Sequence, residues 1–177
     1  MRLLRKSLVM DLEIIDNFLP DYQFKSIQKS LTSDMFPWYY NDCAVLPKDG
    51  RTMFTHTFYD FKPPWNGEKS DYFPLMEQCL PALNVRGLNR IMSVLTVKTV
   101  FNRRTPYHTD TAGPENIFTG VFYINTCNGG TKFKNGPKVK SVANRVVIFD
   151  TNLEHAAVTC TDKQSRVVVN FNFSKGI

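Results

Sequence analysis

RVVVNFNF, the run at residues 166–173, decides how the second half of the chain folds. In an extended strand, successive side chains point to opposite faces. The odd positions from Val167 to Phe173 would therefore form a wholly apolar face, and the even positions from Arg166 to Asn172 a more polar one. Arg166 lies on this more polar face, where its side chain could bind a ligand in a pocket.

Further strands are predicted on both sides of turn residues upstream of this run. From Ile91 onward, β-branched stretches are separated by Asn, Gly, Pro and Asp, which is typical of strands joined by turns. Residues 120–125, 138–142 and 144–150 each predict a strand, and residues 127–131 predict a turn. Because Tyr123, His155 and Arg166 then fall on different strands, we expect an antiparallel barrel or sandwich.

The first half of the chain has a mixed pattern. Residues 8–15 suit a strand, and residues 17–20 open a helix whose first turn tolerates Pro20. Phe24, Ile27 and Leu31 share one face of this helix at helical spacing, which is most simply a core-facing stripe. A second short helix is predicted over residues 71–80, ending near Pro81.

Composition and charge favour one basic globular domain. The 177 residues are 42% apolar and 13% aromatic, which suits a single domain over residues 1–177 and argues against disorder. The net charge is +6, and residues 78–149 hold ten Lys or Arg but two acids, Asp110 and Glu115. A cationic site would attract dicarboxylate anions or an acidic partner, and the same field could bind nucleic acid nonspecifically.

The cysteines and the N-terminal segment favour a cytoplasmic protein. The four cysteines have no C-x-x-C spacing that would indicate a zinc knuckle or a redox motif, so we expect reduced thiols. They are Cys43, Cys79, Cys127 and Cys160. In residues 1–10 the apolar residues never join into a secretory leader or a membrane span.

The chemistry-bearing pattern is His108-Thr109-Asp110, followed by His155 and Arg166. If residues 107–111 are extended, His108 and Asp110 face the same way and Thr109 faces away. Two imidazoles and one carboxylate on a β scaffold form a facial triad that leaves coordination positions open for non-haem Fe(II). The alternative is a pair of structural histidines.

Arg166 and Tyr123 add anion-binding groups to this pattern. A guanidinium makes two charge-assisted hydrogen bonds to a carboxylate, as an organic acid cosubstrate would require. Tyr123 projects with Val121, and its phenol can donate to a carboxylate oxygen.

The second half of the chain resembles a known family in the order and spacing of several stretches. They are Tyr107-His108-Thr109-Asp110, Phe122-Tyr123-Ile124-Asn125, Gly129-Gly130-Thr131, Asn144-Arg145-Val146-Val147-Ile148-Phe149, His155 and Arg166. Over about residues 86–177 the chain resembles the Fe(II)- and 2-oxoglutarate-dependent dioxygenases of the prolyl-4-hydroxylase-like branch. Residues 15–19 and 36–40 also look like small oxygenases of this branch from phage and marine bacterial genomes.

This resemblance implies a fold and an activity. The fold is mainly β with flanking helices: a double-stranded β-helix (jelly roll, cupin-like) core at residues 86–177, supported by a region at residues 1–85 whose helices pack on one sheet. The activity is hydroxylation of a C–H bond, with O₂ consumed and 2-oxoglutarate decarboxylated to succinate and CO₂. Ascorbate is a candidate reductant, and the compartment is the cytoplasm, of the host if the protein is phage-encoded.

The resemblance also assigns residue roles. His108, Asp110 and His155 would bind Fe(II), Arg166 would hold the distal carboxylate of 2-oxoglutarate, and Tyr123 would hydrogen-bond to it. Many relatives have Ser or Thr two positions after the Arg, where this chain has Val168. Binding of the distal carboxylate would then depend more on Tyr123, or on Lys98 or Thr99. Lys98 and Thr99 are neighbours on a predicted strand, so one of the two must face away from the pocket.

The substrate is left open by the sequence. The branch favours a prolyl or other residue in a peptide or protein; the alternatives are a nucleobase or small metabolite, or a cupin-like metal-binding module without oxygenase activity. Four aromatic residues are candidates for a substrate groove or for core: Trp38, Tyr39, Tyr40 and Trp65. We expect His56 to be structural or on the surface, and Arg103 and Arg104 to line the pocket mouth or a solvated loop.

Overall fold

Strands dominate the chain, as the sequence predicted. The computed structural model describes residues 12–45, 51–62, 67–110 and 116–176. The elements in chain order are β1 (Glu13–Ile15), α1 (Asp21–Leu31), β2 (Tyr39–Asn41), β3 (Met53–Asp60), β4 (Glu68–Lys69), α2 (Phe73–Glu77), β5 (Val85–Val97), β6 (Ile117–Tyr123), β7 (Gly130–Phe133), β8 (Lys138–Lys140), β9 (Arg145–Asp150), β10 (His155–Val158) and β11 (Ser165–Lys175).

The strands form two antiparallel sheets. The larger has eight strands in the order β1-β9-β6-β11-β5-β3-β2, with β4 attached to β3, and the smaller has the order β10-β7-β8. All of the strand pairs are antiparallel. Two facing sheets of this kind form a jelly roll, so the predicted mainly β fold class is confirmed.

The alternation of β11 divides its side chains between two cores. Val167, Val169, Phe171 and Phe173 join a cluster that contains the buried residues of both helices. The even-numbered face instead turns toward the space between the sheets, where Val168 joins the second core cluster. The predicted two faces of the 166–173 run are therefore confirmed.

Both helices cover the outer face of the larger sheet. In α1, Phe24, Ile27 and Leu31 are buried as predicted, and they belong to the same cluster as Phe122 of β6. Helix α2 is shorter than the predicted 71–80. After Glu77 the chain continues in i→i+3 turns, with the Leu80 N–H donating to the Glu77 carbonyl, because Pro81 cannot continue a helix.

The first half of the chain contributes more to the sheet than the sequence indicated. Strand β3 was not predicted, and β5 begins at Val85 rather than near Ile91. β3 pairs with β5 over most of its length, so residues expected only to support the core extend its main sheet. The predicted strand at residues 8–15 is present as β1, and its first four residues lie outside the described ranges.

His56 explains why β3 is hard to predict. The imidazole is buried in the middle of the strand, with Nδ1 3.0 Å from the Pro37 carbonyl oxygen and Nε2 3.0 Å from Ser70 Oγ. Burial lowers its pKa and outweighs the hydrogen bond to Pro37, which favours the neutral ring. The ring packs against Phe36 and Phe58, so of the two alternatives left open by the sequence His56 is structural rather than on the surface.

Two further sequence expectations concern membranes and cysteines. Within the described ranges, no helix has the length and apolarity needed to cross a membrane. The four cysteines, all of which lie in those ranges, form no disulfide.

Asn144 joins the N-terminal segment to the core sheet. Its side chain accepts a hydrogen bond from the Leu19 N–H at 3.0 Å and donates one to the Leu19 carbonyl at 2.8 Å. The residue is buried and has a φ of 61°, in the left-handed region that Asn tolerates better than most residues. This one side chain therefore sets where α1 begins on the sheet.

Asn144→Ala should lower the free energy of unfolding by about 2 to 4 kcal/mol, because two buried backbone groups lose their partner. Asn17→Ala is the matched control, since Asn17 has a φ of 52° but is exposed. It should cost only the left-handed strain, about 1 kcal/mol. Urea unfolding of both variants measures the difference, and equal losses would contradict the role given to the Asn144 hydrogen bonds.

Candidate metal centre and cosubstrate pocket

The segment after β5 returns along the smaller sheet and brings two histidines together. Arg104 and His108 form isolated bridges to Val158 and His155 of β10. The His108 N–H donates to the His155 carbonyl at 3.0 Å, and the reverse bond is 2.9 Å long. Residues 107–110 form no strand beyond the His108 bridge, and residues 111–115 lie outside the described ranges. Pairing with His155 places His108.

His108, Asp110 and His155 converge as the sequence predicted. One donor atom from each lies within 4.8 Å of the others. Asp110 Oδ1 is 3.7 Å from His108 Nε2 and 3.5 Å from His155 Nε2. The other ring nitrogens face backbone carbonyls: His108 Nδ1 lies 3.2 Å from Pro106 O, and His155 Nδ1 lies 2.9 Å from Leu153 O. A ring that donates from Nδ1 presents the lone pair of Nε2 to a metal ion.

The second oxygen of Asp110 is held by two buried side chains. The Thr119 hydroxyl donates to Asp110 Oδ2 at 2.8 Å, and Asn172 Nδ2 donates at 3.3 Å. Burial alone would raise the pKa of Asp110, but hydrogen bonds from His155 and Thr119 and the nearby imidazoles outweigh it and hold the pKa well below its usual range. The carboxylate is therefore ionised and fixed in orientation, as a metal ligand would need to be.

The two imidazoles differ in their electrostatic surroundings. Burial lowers the pKa of His108, and the neighbouring His155 lowers it further. Burial also disfavours the charged form of His155, but the hydrogen bond and charge of Asp110 outweigh it and raise its pKa. Proton and metal thus compete for the Nε2 atom that faces Asp110.

A cavity of about 340 Å³ lies beside the triad and is lined by His108, Thr109 and Asp110. Thr109 is exposed, whereas His108 and Asp110 both turn toward this centre, in line with the expected alternation. Arg90, Thr96 and several apolar side chains complete the cavity wall.

Arg166 lies in a smaller cavity beside the triad. This cavity, of about 60 Å³, is lined by His108, His155, Thr131 and Arg166 among others. Arg166 is 2% exposed, and its Nη2 donates to Thr131 Oγ1 at 3.4 Å. Its Nε has no hydrogen-bond partner among the described residues. Burial lowers the pKa of this guanidinium, but an arginine side chain stays charged at any relevant pH. A buried positive charge of this kind is suited to binding an anion.

The other residues assigned to 2-oxoglutarate lie in different places. The Tyr123 hydroxyl donates to Thr131 Oγ1 at 2.8 Å, and its ring faces the Arg166 guanidinium at 5.7 Å. Thr99 lines an adjoining cavity of about 130 Å³, and its hydroxyl donates to the Phe101 carbonyl at 2.7 Å. Lys98 is exposed just beyond the end of β5 and lines none of these three cavities. Val168 lines the Arg166 cavity and offers no hydroxyl there.

The aromatic residues considered for a groove separate into core and surface. Trp38 packs on the core and meets Phe36 edge to face at 5.0 Å. Tyr39 and Tyr40 of β2 are exposed, and Trp65 lies outside the described ranges. None of the three described aromatics lines the triad cavity.

The two arginines before the triad also separate. Arg103 lines the 130 Å³ cavity, which shares Thr96 and Thr105 with the triad cavity. The Arg104 guanidinium stacks over the Tyr107 ring at 4.0 Å and is exposed.

Four polar residues at the site were not singled out from the sequence. Asn172 could have been found, because it shares the even-numbered face of β11 with Arg166. Thr119, Thr131 and Thr96 carry no such signal, since threonine is common in strands and only the three-dimensional pairing shows what each hydroxyl contacts. Thr96 is the residue opposite Arg166 on β5, and its buried hydroxyl has no partner among the described residues.

No protein-family model matches the sequence, and the comparison with curated proteins finds no match. Several solved structures have a similar fold. A 2OG-Fe(II) oxygenase family oxidoreductase from Burkholderia pseudomallei has a TM-score of 0.66 at 10% identity, covering 93% of this chain and 85% of that one. A Pseudomonas putida prolyl-4-hydroxylase has a TM-score of 0.59 at 16% identity, covering 96% and 95%.

A third match is a prolyl hydroxylase from Trichoplax adhaerens in complex with a peptide fragment of the hypoxia inducible factor oxygen degradation domain. It has a TM-score of 0.62 at 15% identity and covers 94% of this chain and 84% of that one. The fold is therefore the jelly roll of the 2-oxoglutarate-Fe(II) oxygenases. Within that class the matching structures include prolyl hydroxylases.

Thr119→Val should weaken binding of Fe(II), or of Co(II) as a substitute, by about 10- to 100-fold, because the Asp110 ligand loses its orienting hydroxyl. Thr151→Val is the matched control: Thr151 is equally buried and its hydroxyl lies 3.2 Å from that of Thr119, but it makes no hydrogen bond to Asp110. Anaerobic titration compares the two affinities. Equal affinities would show that Thr119 does not support the metal ligand.

Proposed function

We propose that this chain is an Fe(II)- and 2-oxoglutarate-dependent dioxygenase that hydroxylates a prolyl residue, or another residue, in a peptide or protein. The observation that carries the proposal is the convergence of His108 Nε2, Asp110 Oδ1 and His155 Nε2 beside a buried arginine whose Nε has no partner among the described residues. Structural histidines alone would not require an anion site next to them.

The donor set suits Fe(II). Two imidazoles and a carboxylate on one side of the ion form the facial triad of non-haem Fe(II) oxygenases, which leaves positions for other ligands. When bound, Fe(II) and 2-oxoglutarate supply the oxidation: O₂ is consumed, 2-oxoglutarate becomes succinate and CO₂, and the substrate C–H bond gains a hydroxyl oxygen. The protein's own residues bind and orient these groups.

Arg166 is the residue we assign to the distal carboxylate of 2-oxoglutarate. It lies in the cavity that also contains both histidines, and the low exposure of its side chain strengthens a charge-assisted hydrogen bond by excluding water. Thr131 holds one end of the guanidinium and also accepts from Tyr123. The Tyr123 hydroxyl, which donates to Thr131, holds the Thr131 side chain in place beside Arg166. A rotation of this hydroxyl away from Thr131 would let it donate to the cosubstrate instead. Lys98 and Thr99 are weaker candidates for cosubstrate contacts.

The 340 Å³ cavity is the proposed substrate site. It opens beside His108 and Asp110, and its wall includes Met53, Met92 and Val94, whose apolar surfaces suit a pyrrolidine ring. The matching prolyl hydroxylases, one of them with a peptide bound, support a peptide substrate. In this proposal residues 1–177 act as one cytoplasmic domain, residues 86–177 are its catalytic core, and ascorbate serves as reductant.

A second candidate is an oxygenase that acts on an anionic small metabolite or a nucleotide. Arg90 lines the triad cavity and Arg103 lines the adjoining one, and the Thr96 hydroxyl has no partner in the described part of the chain. These groups would bind a phosphate or carboxylate rather than a neutral peptide. A salt-sensitive affinity for nucleic acid would favour the nucleotide.

The test begins with anaerobic titration of the metal-free protein with Fe(II) and 2-oxoglutarate. We expect a visible charge-transfer band of the chelate and succinate release when O₂ is admitted. His108→Ala, Asp110→Ala and His155→Ala should each abolish both, because two remaining ligands do not hold the ion. Full turnover in His155→Ala would show that the triad is wrong. Neither band nor succinate from folded, metal-loaded protein would favour a metal-binding module.

Substrate class is tested with peptides that differ only in Pro or Ala at one position. Faster succinate release and a mass gain of one oxygen on the Pro peptide alone support the prolyl activity. Stimulation by nucleotides or small dianions, with none by either peptide, would favour the second candidate.

Arg166→Ala should keep Fe(II) binding and raise the 2-oxoglutarate KM by at least roughly 30-fold, the equivalent of about 2 kcal/mol for a lost buried charge partner. Arg166→Lys should lose less, because the charge stays while the fork geometry is lost. Arg145→Ala is the control, since Arg145 pairs with Asp16 and lines none of the three cavities. An unchanged KM in Arg166→Ala would remove Arg166 from the cosubstrate site.

A further inference from the structure

A second cluster of metal-ligating side chains lies behind Arg166. Cys127 follows β6 and Cys160 follows β10; both thiols are buried, at 6% and 0% exposure. The two Sγ atoms and a carboxylate oxygen of Asp162 lie within 4.8 Å of one another. The sequence shows no C-x-x-C motif because the two cysteines come from turns that are far apart in the chain.

Backbone hydrogen bonds fix the position of each donor. The Cys127 N–H donates to the Ser141 carbonyl at 3.1 Å, and the Cys160 carbonyl accepts from the Thr99 N–H at 3.0 Å. Asp162 Oδ1 accepts from the Asn128 N–H at 3.0 Å. An ion entering the cluster would therefore order little new structure, and the exposed Asp162 leaves it a path from solvent.

Two cations lie close to the cluster and suit an anionic metal complex. Arg166 is buried next to both cysteines, and among the described residues no carboxylate forms an ion pair with it. Lys138 also lies near Cys127, with its Nζ donating to the Asn128 carbonyl at 2.8 Å. Two thiolates, one carboxylate and a divalent cation carry a net charge of −1, which these cations stabilise. A disulfide between the same sulfurs would carry no charge.

We propose that Cys127, Cys160 and Asp162 form a second metal site, for a thiophilic divalent cation such as Zn²⁺, with two thiolate ligands, one carboxylate ligand and water at the remaining position. Thiolates select softer ions than the imidazole and carboxylate ligands of the triad, so the two sites differ in preference. On binding, each thiol releases its proton to solvent, and Cys160 gives up its 3.3 Å hydrogen bond to the Lys163 carbonyl.

The ion would tie together the two turns that carry the anion-binding residues. The turn at Cys127 leads into Thr131 of β7, and the turn at Cys160 and Asp162 leads into Arg166 of β11. Thr131 and Arg166 are hydrogen-bonded to each other. The site is thus a cross-link behind the Arg166 cavity, and it does not depend on the proposed oxygenase activity.

The test is an anaerobic Co(II) titration of the reduced, metal-free full chain. Thiolate ligation of Co(II) gives an intense near-ultraviolet charge-transfer absorption that imidazole and carboxylate ligands do not give. Because the triad also takes up Co(II), we expect the wild type to develop this absorption within two equivalents, to the intensity of one thiolate-bound ion. Cys127→Ser and Cys160→Ser should lose it, whereas Cys43→Ser, which removes a thiol outside the cluster, and His108→Ala should retain it. Asp162→Asn should keep it with an affinity on the order of tenfold weaker.

A second measurement covers variants that fail to fold. Stoichiometric Zn²⁺ should slow alkylation of Cys127 and Cys160 in the wild type, mapped by mass spectrometry, and raise the melting temperature. Absence of thiolate absorption and of protection in the folded, reduced chain would overturn the proposal. So would disulfide formation between these cysteines on oxidation by peroxide, combined with no metal uptake by the reduced chain.

Discussion

The paired hydrogen bonds between the backbones of His108 and His155 are the constraint on which the rest of the site depends. They attach an otherwise irregular segment to the edge of the smaller sheet and bring the two rings to a centroid distance of 4.6 Å. Asp110 then reaches both Nε2 atoms through one oxygen, while Thr119 and Asn172 of the larger sheet hold the other. The centre is therefore built across the gap between the sheets, and each sheet supplies part of it.

A hydrogen-bonded path links the proposed substrate cavity to the metal ligand. Arg90 donates to Asn172 Oδ1 at 3.2 Å, and the amide of the same Asn172 donates to Asp110. Arg90 lines the cavity, so an anion bound there would accept hydrogen bonds from the same guanidinium that orients the Asn172 amide. The charge of the substrate and the orientation of the Asp110 carboxylate are thus coupled through Asn172. This coupling would be stronger for an anionic substrate than for a neutral prolyl peptide.

The sequence was most informative where a short-range pattern had one physical meaning. The alternation of residues 166–173 predicted both faces of β11, and the helical spacing of Phe24, Ile27 and Leu31 predicted the buried face of α1. Strand β3 was missed because His56 and its threonine neighbours look polar, and only hydrogen bonds to distant residues make the His56 ring suitable for burial. The partners of Asp110 and the proximity of Cys127 to Cys160 were missed for the same reason: each is a contact between residues far apart in sequence.

The strand that carries Arg166 is also the one that joins the larger sheet into a single unit. β11 lies between β6 and β5, with β1 and β9 beyond one side and β3 and β2 beyond the other, yet it follows all of these strands in the chain. During synthesis the two halves of the sheet are made first and cannot pair with each other until β11 emerges between them. Pairings that span such long stretches of chain are slow to form. The unfinished edges of β5 and β6 are thus exposed to aggregation until the anion-binding strand closes the sheet.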